Sequence, residues 1–162
     1  MKEYLAIPQP DEVSIEERED AMGGYFMMFA SLAVGLPLPI INLIAAIIYY
    51  GLNKKKSPFV HFHSLQSLIS QIPTSLLNAG LVFWFLRIMF YGNQEFDDTF
   101  MGYFWTVILA NILYFVFSII AAVRARKGRF FYFVFFGRIA YEMAYIKKDQ
   151  NDKAAPVNKP PR

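Results

Sequence analysis

The stretch TFMGYFWTVILANILYFVFSIIAAV, residues 99–123, contains 25 consecutive residues without a charged side chain. About 20 apolar residues of helix cross the hydrocarbon core of a bilayer, and that core admits only helices and closed barrels because it offers no water to backbone groups. Two further charge-free runs precede it, at residues 21–53 and 57–86. Together the three runs predict an all-α integral membrane protein.

The composition agrees with this class. Hydrophobic residues make up 56% of the 162-residue chain and aromatic residues 18%, whereas about 45–50% apolar residues is usual in a soluble domain. The polar stretches at both ends are too short to bury a hydrophobic core, which excludes a large soluble catalytic domain. The chain has no cysteine, which excludes disulfides, thiol chemistry and thiolate metal sites.

Polarity divides the chain into three segments. Residues 1–23 are an acidic N-terminal segment, in which Ser14 and Glu17 have the spacing of a capping box and predict the start of a short helix. Residues 24–146 form a single helical membrane domain. Residues 147–162 are a basic, proline-containing tail that we expect to be disordered.

Three transmembrane helices are predicted, at about residues 25–52, 74–91 and 100–123. Pro37 and Pro39 lie near the middle of the first and predict a kink or local break there, because proline removes an amide donor and clashes with the preceding turn. A re-entrant hairpin, with both ends on one side of the membrane, is the alternative for this run.

Two interfacial helices complete the predicted fold. Over residues 59–71, polar residues recur at helical spacing opposite apolar ones, which predicts an amphipathic helix near the interface or along a polar groove. Pro73 is expected to separate this helix from the second span. Residues 130–146 begin with FFYFVFF and predict a helix with an aromatic anchor. If they crossed instead, the protein would have four transmembrane helices, with Arg138 and Glu142 in lipid.

The charge is distributed unevenly. The first 20 residues sum to −5 and the remainder to +8, which gives the net charge of +3. Since the basic residues flank apolar segments, they predict contacts with anionic lipid headgroups and no nucleic-acid partner. The predicted interfacial anchors are Lys54, Lys55, Lys56, Arg124, Arg126, Lys127 and Arg129.

These basic clusters also predict the orientation. The loops after the first and third spans are basic, whereas residues 92–98 contain only acidic charges. By the positive-inside rule, the basic loops are cytoplasmic. Three spans then place the N-terminus outside and the C-terminal tail inside a bacterial inner membrane.

The strongest chemical signal is a pair of histidines. His61 and His63 are two residues apart, so on a helix they point about 200° apart and need a third element to hold one metal ion. No acidic residue or nucleophile motif accompanies them. We therefore predict no enzyme, no catalytic residue, no cofactor and no metal site. The predicted binding or helix-packing residues are His63, Gln66, Ser67, Ser70 and Asn111.

Two motifs resemble a known family. PFVxFHxxQS at residues 58–67 follows a proline-containing span and a lysine loop, and KGxFxY at residues 127–132 runs on to GRIA at residues 137–140. In order and spacing they resemble small bacterial membrane proteins of unknown function that are related to the Tic-twenty component of the chloroplast protein-import translocon. His61 and Val134 depart from that pattern, which often has arginine and proline at these positions.

The resemblance implies a helical membrane fold and, in the plastid relatives, a role in preprotein passage. We therefore expect a non-enzymatic subunit or accessory of a membrane complex, with protein translocation or insertion as its process. The expected partners are the lipid bilayer, other membrane subunits such as a translocase, and a second copy of the chain. A small channel or transporter is the alternative, and it would need oligomers because three spans enclose little of a pore.

Overall fold

The computed structural model describes residues 4–33, 39–91 and 96–146, and the regular elements in these ranges are helical. In chain order they are α1 (Ile15–Phe26), a 3₁₀ turn (Met27–Phe29), α2 (Ala30–Ala33), α3 (Pro39–Asn53), α4 (Pro58–Tyr91), α5 (Asp98–Arg126) and α6 (Phe136–Tyr145). An isolated antiparallel bridge joins Tyr4 to Ile146. The predicted all-α class is confirmed.

Two of the described helices are long and apolar enough to cross a membrane, α4 with 34 residues and α5 with 29. At 1.5 Å per residue they are about 51 Å and 43 Å long, which matches the thickness of a bilayer with its headgroups. Large apolar side chains project from both, such as Phe83 at 66% exposure and Leu109 at 58%. These surfaces suit lipid, and the chain is a membrane protein. The predicted spans over residues 74–91 and 100–123 lie within α4 and α5.

The predicted helix break at Pro73 is wrong, because α4 runs through this residue without interruption. Hydroxyl groups in the adjoining turns donate to backbone carbonyls. Ser70 Oγ lies 3.0 Å from the carbonyl of Ser67, and Thr74 Oγ1 lies 2.9 Å from that of Gln71. These hydroxyls do not contact the carbonyl of Ile69, which Pro73 leaves without its usual donor, but membrane helices tolerate an internal proline. Residues 59–71 are therefore the first half of a span-length helix.

The predicted first span, residues 25–52, turns back on itself. The arm made by α1, the 3₁₀ turn and α2 lies antiparallel to α3. The amide of Ser31 donates to Asn42 Oδ1 over 2.7 Å, and the hydroxyl of Tyr49 donates to the carbonyl of Asp20 over 2.8 Å. A straight helix of 28 residues would hold its ends about 42 Å apart. The run is thus a hairpin, which was the alternative; the predicted break at Pro37 lies outside the described residues.

Both basic loops lie at the same end of the molecule as α1. Lys56 Nζ is 2.6 Å from a carboxylate oxygen of Asp20, and Arg126 Nη1 is 3.3 Å from one of Glu19. The predicted placement of the acidic N-terminus across the membrane from both basic loops is therefore not confirmed. We call this part of the molecule the basic end, and the opposite part, where α4 ends and α5 begins, the turn end.

The predicted helix over residues 130–146 is helical only from Phe136 to Tyr145. Before it the chain leaves the helical path, with Phe135 at φ 69° and Gly128 at φ 68°. A Cβ on Gly128 would lie 2.7 Å from the carbonyl oxygen of Pro10, so this reversal requires glycine. At 10 residues α6 is about 15 Å long, too short for the alternative of a fourth crossing.

The buried core lies at the basic end, on the first half of α4. Small residues at the end of α5 allow α1 to approach closely, and α6 covers a second face of α4. One cluster contains Val13, Ala21, Tyr25, Phe59, Ala121, Ala122 and Ala125, and the other Phe62, Leu65, Ala140, Ala144 and Tyr145. The predicted disordered tail, residues 147–162, lies outside the described residues.

Candidate functional site

The first half of α4 turns its polar face into the protein. His63 and Gln66 are 0% exposed, Ser67 is 1% exposed and Ser70 is 4% exposed. The helix predicted to lie near the interface or along a groove is instead the central helix of the core, covered by α1 and by the non-helical residues 130–135. Other parts of the same chain therefore cover this polar face.

His63 is held between a tyrosine and two phenylalanines. Its Nδ1 atom lies 3.0 Å from the hydroxyl of Tyr25, and Gln66 Nε2 donates to the same hydroxyl over 2.8 Å. The ring centroids of Phe59 and Phe62 are 4.6 and 4.9 Å from that of the imidazole. Within the described ranges His63 Nε2 has no hydrogen-bond partner, and no group of three metal-ligating side chains of the His, Cys, Asp or Glu types occurs.

Gln66 and Ser67 connect α4 to two other segments. Gln66 Nε2 donates to the carbonyl of Phe131 over 2.8 Å, and the amide of Phe133 donates to Gln66 Oε1 over 3.2 Å. Ser67 Oγ donates to the carbonyl of Gly24 over 2.8 Å. Gln66 thus satisfies backbone groups of the non-helical segment, and Ser67 adds a second donor to the carbonyl of Gly24, which fixes the aromatic segment and α1 against α4.

Asn111 lies in a different part of the molecule. It forms reciprocal amide hydrogen bonds with Asn78 of α4, over 3.0 and 3.2 Å. Asn78 is 15 residues beyond His63, which is about 22 Å along the helix. The structure therefore divides the predicted residues into a buried network at the basic end and an interhelical pair in the α4–α5 hairpin.

The seven predicted basic anchors are exposed at the basic end. Two of them, Lys56 and Arg126, form the ion pairs with α1 described above. Their exposure is compatible with contacts to headgroups, and this role stays a prediction.

Two exposed carboxylates occupy the turn end. Asp97 caps α5, with Oδ1 accepting the amide of Phe100 over 2.7 Å, and Asp98 follows as the first helical residue. Beside them, the ring of Trp84 on α4 lies 5.7 Å from the rings of both Phe100 and Tyr103 on α5. This aromatic contact holds the two helices together where they meet.

The chain matches a model of a protein family. The family model described as the magnetosome magnetite crystal formation protein family, MamF/MmsF, matches residues 23–140. The match covers 118 of the 162 residues, including α4 and α5 in full. The chain belongs to the MamF/MmsF family. Comparison with curated proteins and with solved structures gives no match.

Membership in the MamF/MmsF family overturns the resemblance to the Tic-twenty relatives, and the expectation of a role in protein translocation is wrong. A translocase partner has no support. The physical reason lies in the motifs themselves, residues 58–67 and 127–140. They supply the phenylalanines, His63 and Gln66 that form the buried core, so they report on packing and carry no information about a transported protein.

Two partners of the MamF/MmsF core were not predicted from the sequence. Tyr25 approaches His63 and Gln66 across 38 and 41 residues of chain, and the backbone of residues 131–133 approaches Gln66 across more than 60. No short-range pattern encodes such contacts. The signal that Tyr25 offers is its hydroxyl, a polar group near the start of the charge-free run at residues 21–53.

Proposed function

We propose that this protein is a non-enzymatic, membrane-embedded component of magnetite crystal formation that holds the carboxylates of its turn end against iron at the growing mineral. The match to the MamF/MmsF family across both span-length helices carries this proposal. The concentration of exposed lysine and arginine at the basic end supports the assignment of the mineral-facing side.

The orientation follows from the distribution of basic residues. Seven lysines and arginines are exposed at the basic end, in or beside its two loops, whereas the described part of the turn end carries Asp97, Asp98 and a single exposed basic residue, Arg87. Short loops rich in lysine and arginine remain on the cytoplasmic side. The turn end then faces away from the cytoplasm, into the compartment that the membrane encloses.

The chemistry of the turn end suits iron. Carboxylate oxygens are ligands that hard cations prefer in proteins, and carboxylates also ligate non-haem iron. Asp97 uses one oxygen to cap α5, while its second oxygen and the carboxylate of Asp98 are exposed. Binding to ions at a mineral surface needs such oxygens at a fixed spacing, and it needs no nucleophile or general base.

Disruption of the gene in a magnetite-forming bacterium tests the family-level role. We expect crystals with a changed mean size or shape, measured by electron microscopy, and restoration by the wild-type gene. Crystals indistinguishable from those of the parent strain would refute the proposal.

The double variant Asp97→Asn/Asp98→Asn tests the turn end. Asparagine is as good an N-cap as aspartate, so α5 keeps its start while both charges are lost. We expect this variant, introduced into the disrupted strain, to leave the crystals close to those of the disrupted strain.

The matched control is Asp11→Asn/Glu16→Gln, which removes two exposed carboxylates from the basic end. It should restore wild-type crystals. If both double variants restored them, the carboxylates of the turn end would have no role in the mineral.

A further inference from the structure

A cavity of about 770 Å³ lies at the basic end, between the end of α3, the start of α4 and the last turn of α6. Lys54 and Lys55 lie on one side of it and Glu142 and Met143 on another, with Tyr50 and His61 between them. The cavity is open to the surroundings of the protein. It contains none of the residues of the buried network or of the turn end.

The three lysines after α3 have different environments. Lys56 is paired with Asp20 of α1 at 2.6 Å and does not line the cavity. Lys54 and Lys55 line it, and neither has a carboxylate partner within ion-pair distance in the part of the chain that the structure describes. Lys54 Nζ lies 5.4 Å from the ring centroid of Tyr50, which places its charge over that ring.

The remaining polar groups leave the cavity with a net positive charge. The carboxylate of Glu142 is balanced by Arg138, whose Nε lies 3.2 Å from it on the same helix. The hydroxyl of Tyr50 lies 3.0 Å from His61 Nε2, so these two side chains fix one another. The ammonium groups of Lys54 and Lys55 can both donate hydrogen bonds to an anion that has several acceptor oxygens.

Apolar surface adjoins the charged part of the cavity. Met143 of the lining is 55% exposed, and on α3 the side chain of Ile47, one turn before Tyr50, is 52% exposed. The acyl chains of a lipid gain free energy by covering such surface, whereas a soluble anion does not.

We propose that this cavity binds the phosphate of an anionic phospholipid headgroup, with Lys54 and Lys55 contacting the phosphate oxygens and the acyl chains lying along α3. The site is separate from the turn end and does not depend on a role in mineral formation. Two of the seven predicted basic anchors, Lys54 and Lys55, thus form one specific lipid site.

The test uses the purified full-length protein, stripped of lipid in detergent and titrated with phosphatidylglycerol or phosphatidylcholine. Bound lipid is counted by native mass spectrometry. We expect one phosphatidylglycerol to bind in preference to phosphatidylcholine. Lys54→Gln/Lys55→Gln should weaken this binding about 10- to 30-fold, from the usual contribution of a basic residue to anionic-lipid attraction.

The control variant Lys127→Gln/Arg129→Gln removes the same charge from the same end outside the cavity, and it should bind phosphatidylglycerol like the wild type. An equal loss in both variants would mean attraction by net charge alone and would overturn the site. Inorganic phosphate is the third arm. If phosphate alone bound with the affinity of the lipid, the ligand would be free phosphate and the assignment to a phospholipid would fail.

Discussion

Gln66 is the residue on which most of the buried network depends. One side-chain amide contacts α1 through the Tyr25 hydroxyl and the aromatic segment through the backbone of Phe131 and Phe133. All of these contacts are long-range in sequence. An apolar residue of similar size at this position would leave a buried carbonyl and a buried amide without partners, each at a cost of about 1–3 kcal/mol.

The first prediction concerns this amide. Gln66→Met should lower the free energy of unfolding by at least about 1–3 kcal/mol, measured by denaturation with SDS in mixed micelles and followed by circular dichroism. Gln71→Met is the matched control, because Gln71 is 3% exposed and its Oε1 has no partner in the described chain. It should be nearly neutral. Equal losses in the two variants would show that the hydrogen bonds of Gln66 contribute nothing.

The second prediction concerns Glu17, which completes the capping box of α1 predicted from the sequence and confirmed in the structure. The hydrogen bond from the backbone of Ser14 holds the pKa of Glu17 below 4.5, its ordinary value. A lowered pKa in the folded state gives stability that is complete above 4.5 and is lost as the pH falls through the folded-state pKa.

We therefore expect the stability of the wild type to exceed that of Glu17→Gln at neutral pH and to approach it in acid. The measurement is the free energy of unfolding of both proteins from neutral pH to below pH 4.5. Glu16→Gln, on the exposed side of the same turn, is the control. A difference between wild type and Glu17→Gln that stayed constant with pH would contradict this account.

At the scale of elements, the hairpin of α4 and α5 contains the Asn78–Asn111 pair in its interior. Each amide also donates to the carbonyl four residues before it, over 2.7 and 2.8 Å. Interhelical hydrogen bonds in membranes contribute about 0.6 kcal/mol on average and at most about 1.7 kcal/mol.

The third prediction is a coupling between these residues. A double-mutant cycle with Asn78→Ala and Asn111→Ala should give about 0.6–1.7 kcal/mol in the free energy of unfolding. The reference cycle pairs Asn78→Ala with Thr106→Ala, because the hydroxyl of Thr106 donates to Gly102 within its own helix. That cycle should give no coupling, and a null result in both cycles would rule out the interhelical bond.

The sequence predicts α5 well, because a long uncharged run admits few other structures. It did not predict α4 as one helix. Proline favours the end of a helix but does not require it, and α4 continues through Pro73. For residues 25–52 the sequence predicts a single span, with a hairpin as the alternative. Hydropathy measures how apolar a run is and does not show whether the chain reverses direction within it.

At the scale of the whole molecule, the hairpin brings three polar segments, α1 and the two basic loops, to one end of the molecule. The sequence located these segments but not their common side. The charges of α1 meet the basic loops only through contacts such as Glu19 with Arg126, which are 107 residues apart. The candidate site is predicted only in part. Its polar residues lie on one helix and share a helical spacing that the sequence shows, whereas their partners come from distant parts of the chain.

The fourth prediction is the topology itself, and the absence of cysteine from the chain makes it simple to test. Single cysteines at Glu16, Lys55 and Lys127 should react with a membrane-impermeant maleimide from one side, and a cysteine at Asp98 from the other. Three crossings would instead place Glu16 on the side of Asp98. Labelling of intact and opened vesicles distinguishes the two arrangements, and intact cells identify the cytoplasmic side.

The hairpin of α1 to α3 also determines the shape of the molecule. α3 is about 22 Å long, less than the hydrocarbon thickness of about 30 Å, so its hairpin adds cross-section to one leaflet only. Five helices, α1 and α3 to α6, pack at the basic end, compared with the two helices α4 and α5 at the turn end. A body that is wider in one leaflet fits best where the membrane is convex on that side. With the basic end cytoplasmic, as proposed above, we expect the best fit in the wall of a small vesicle.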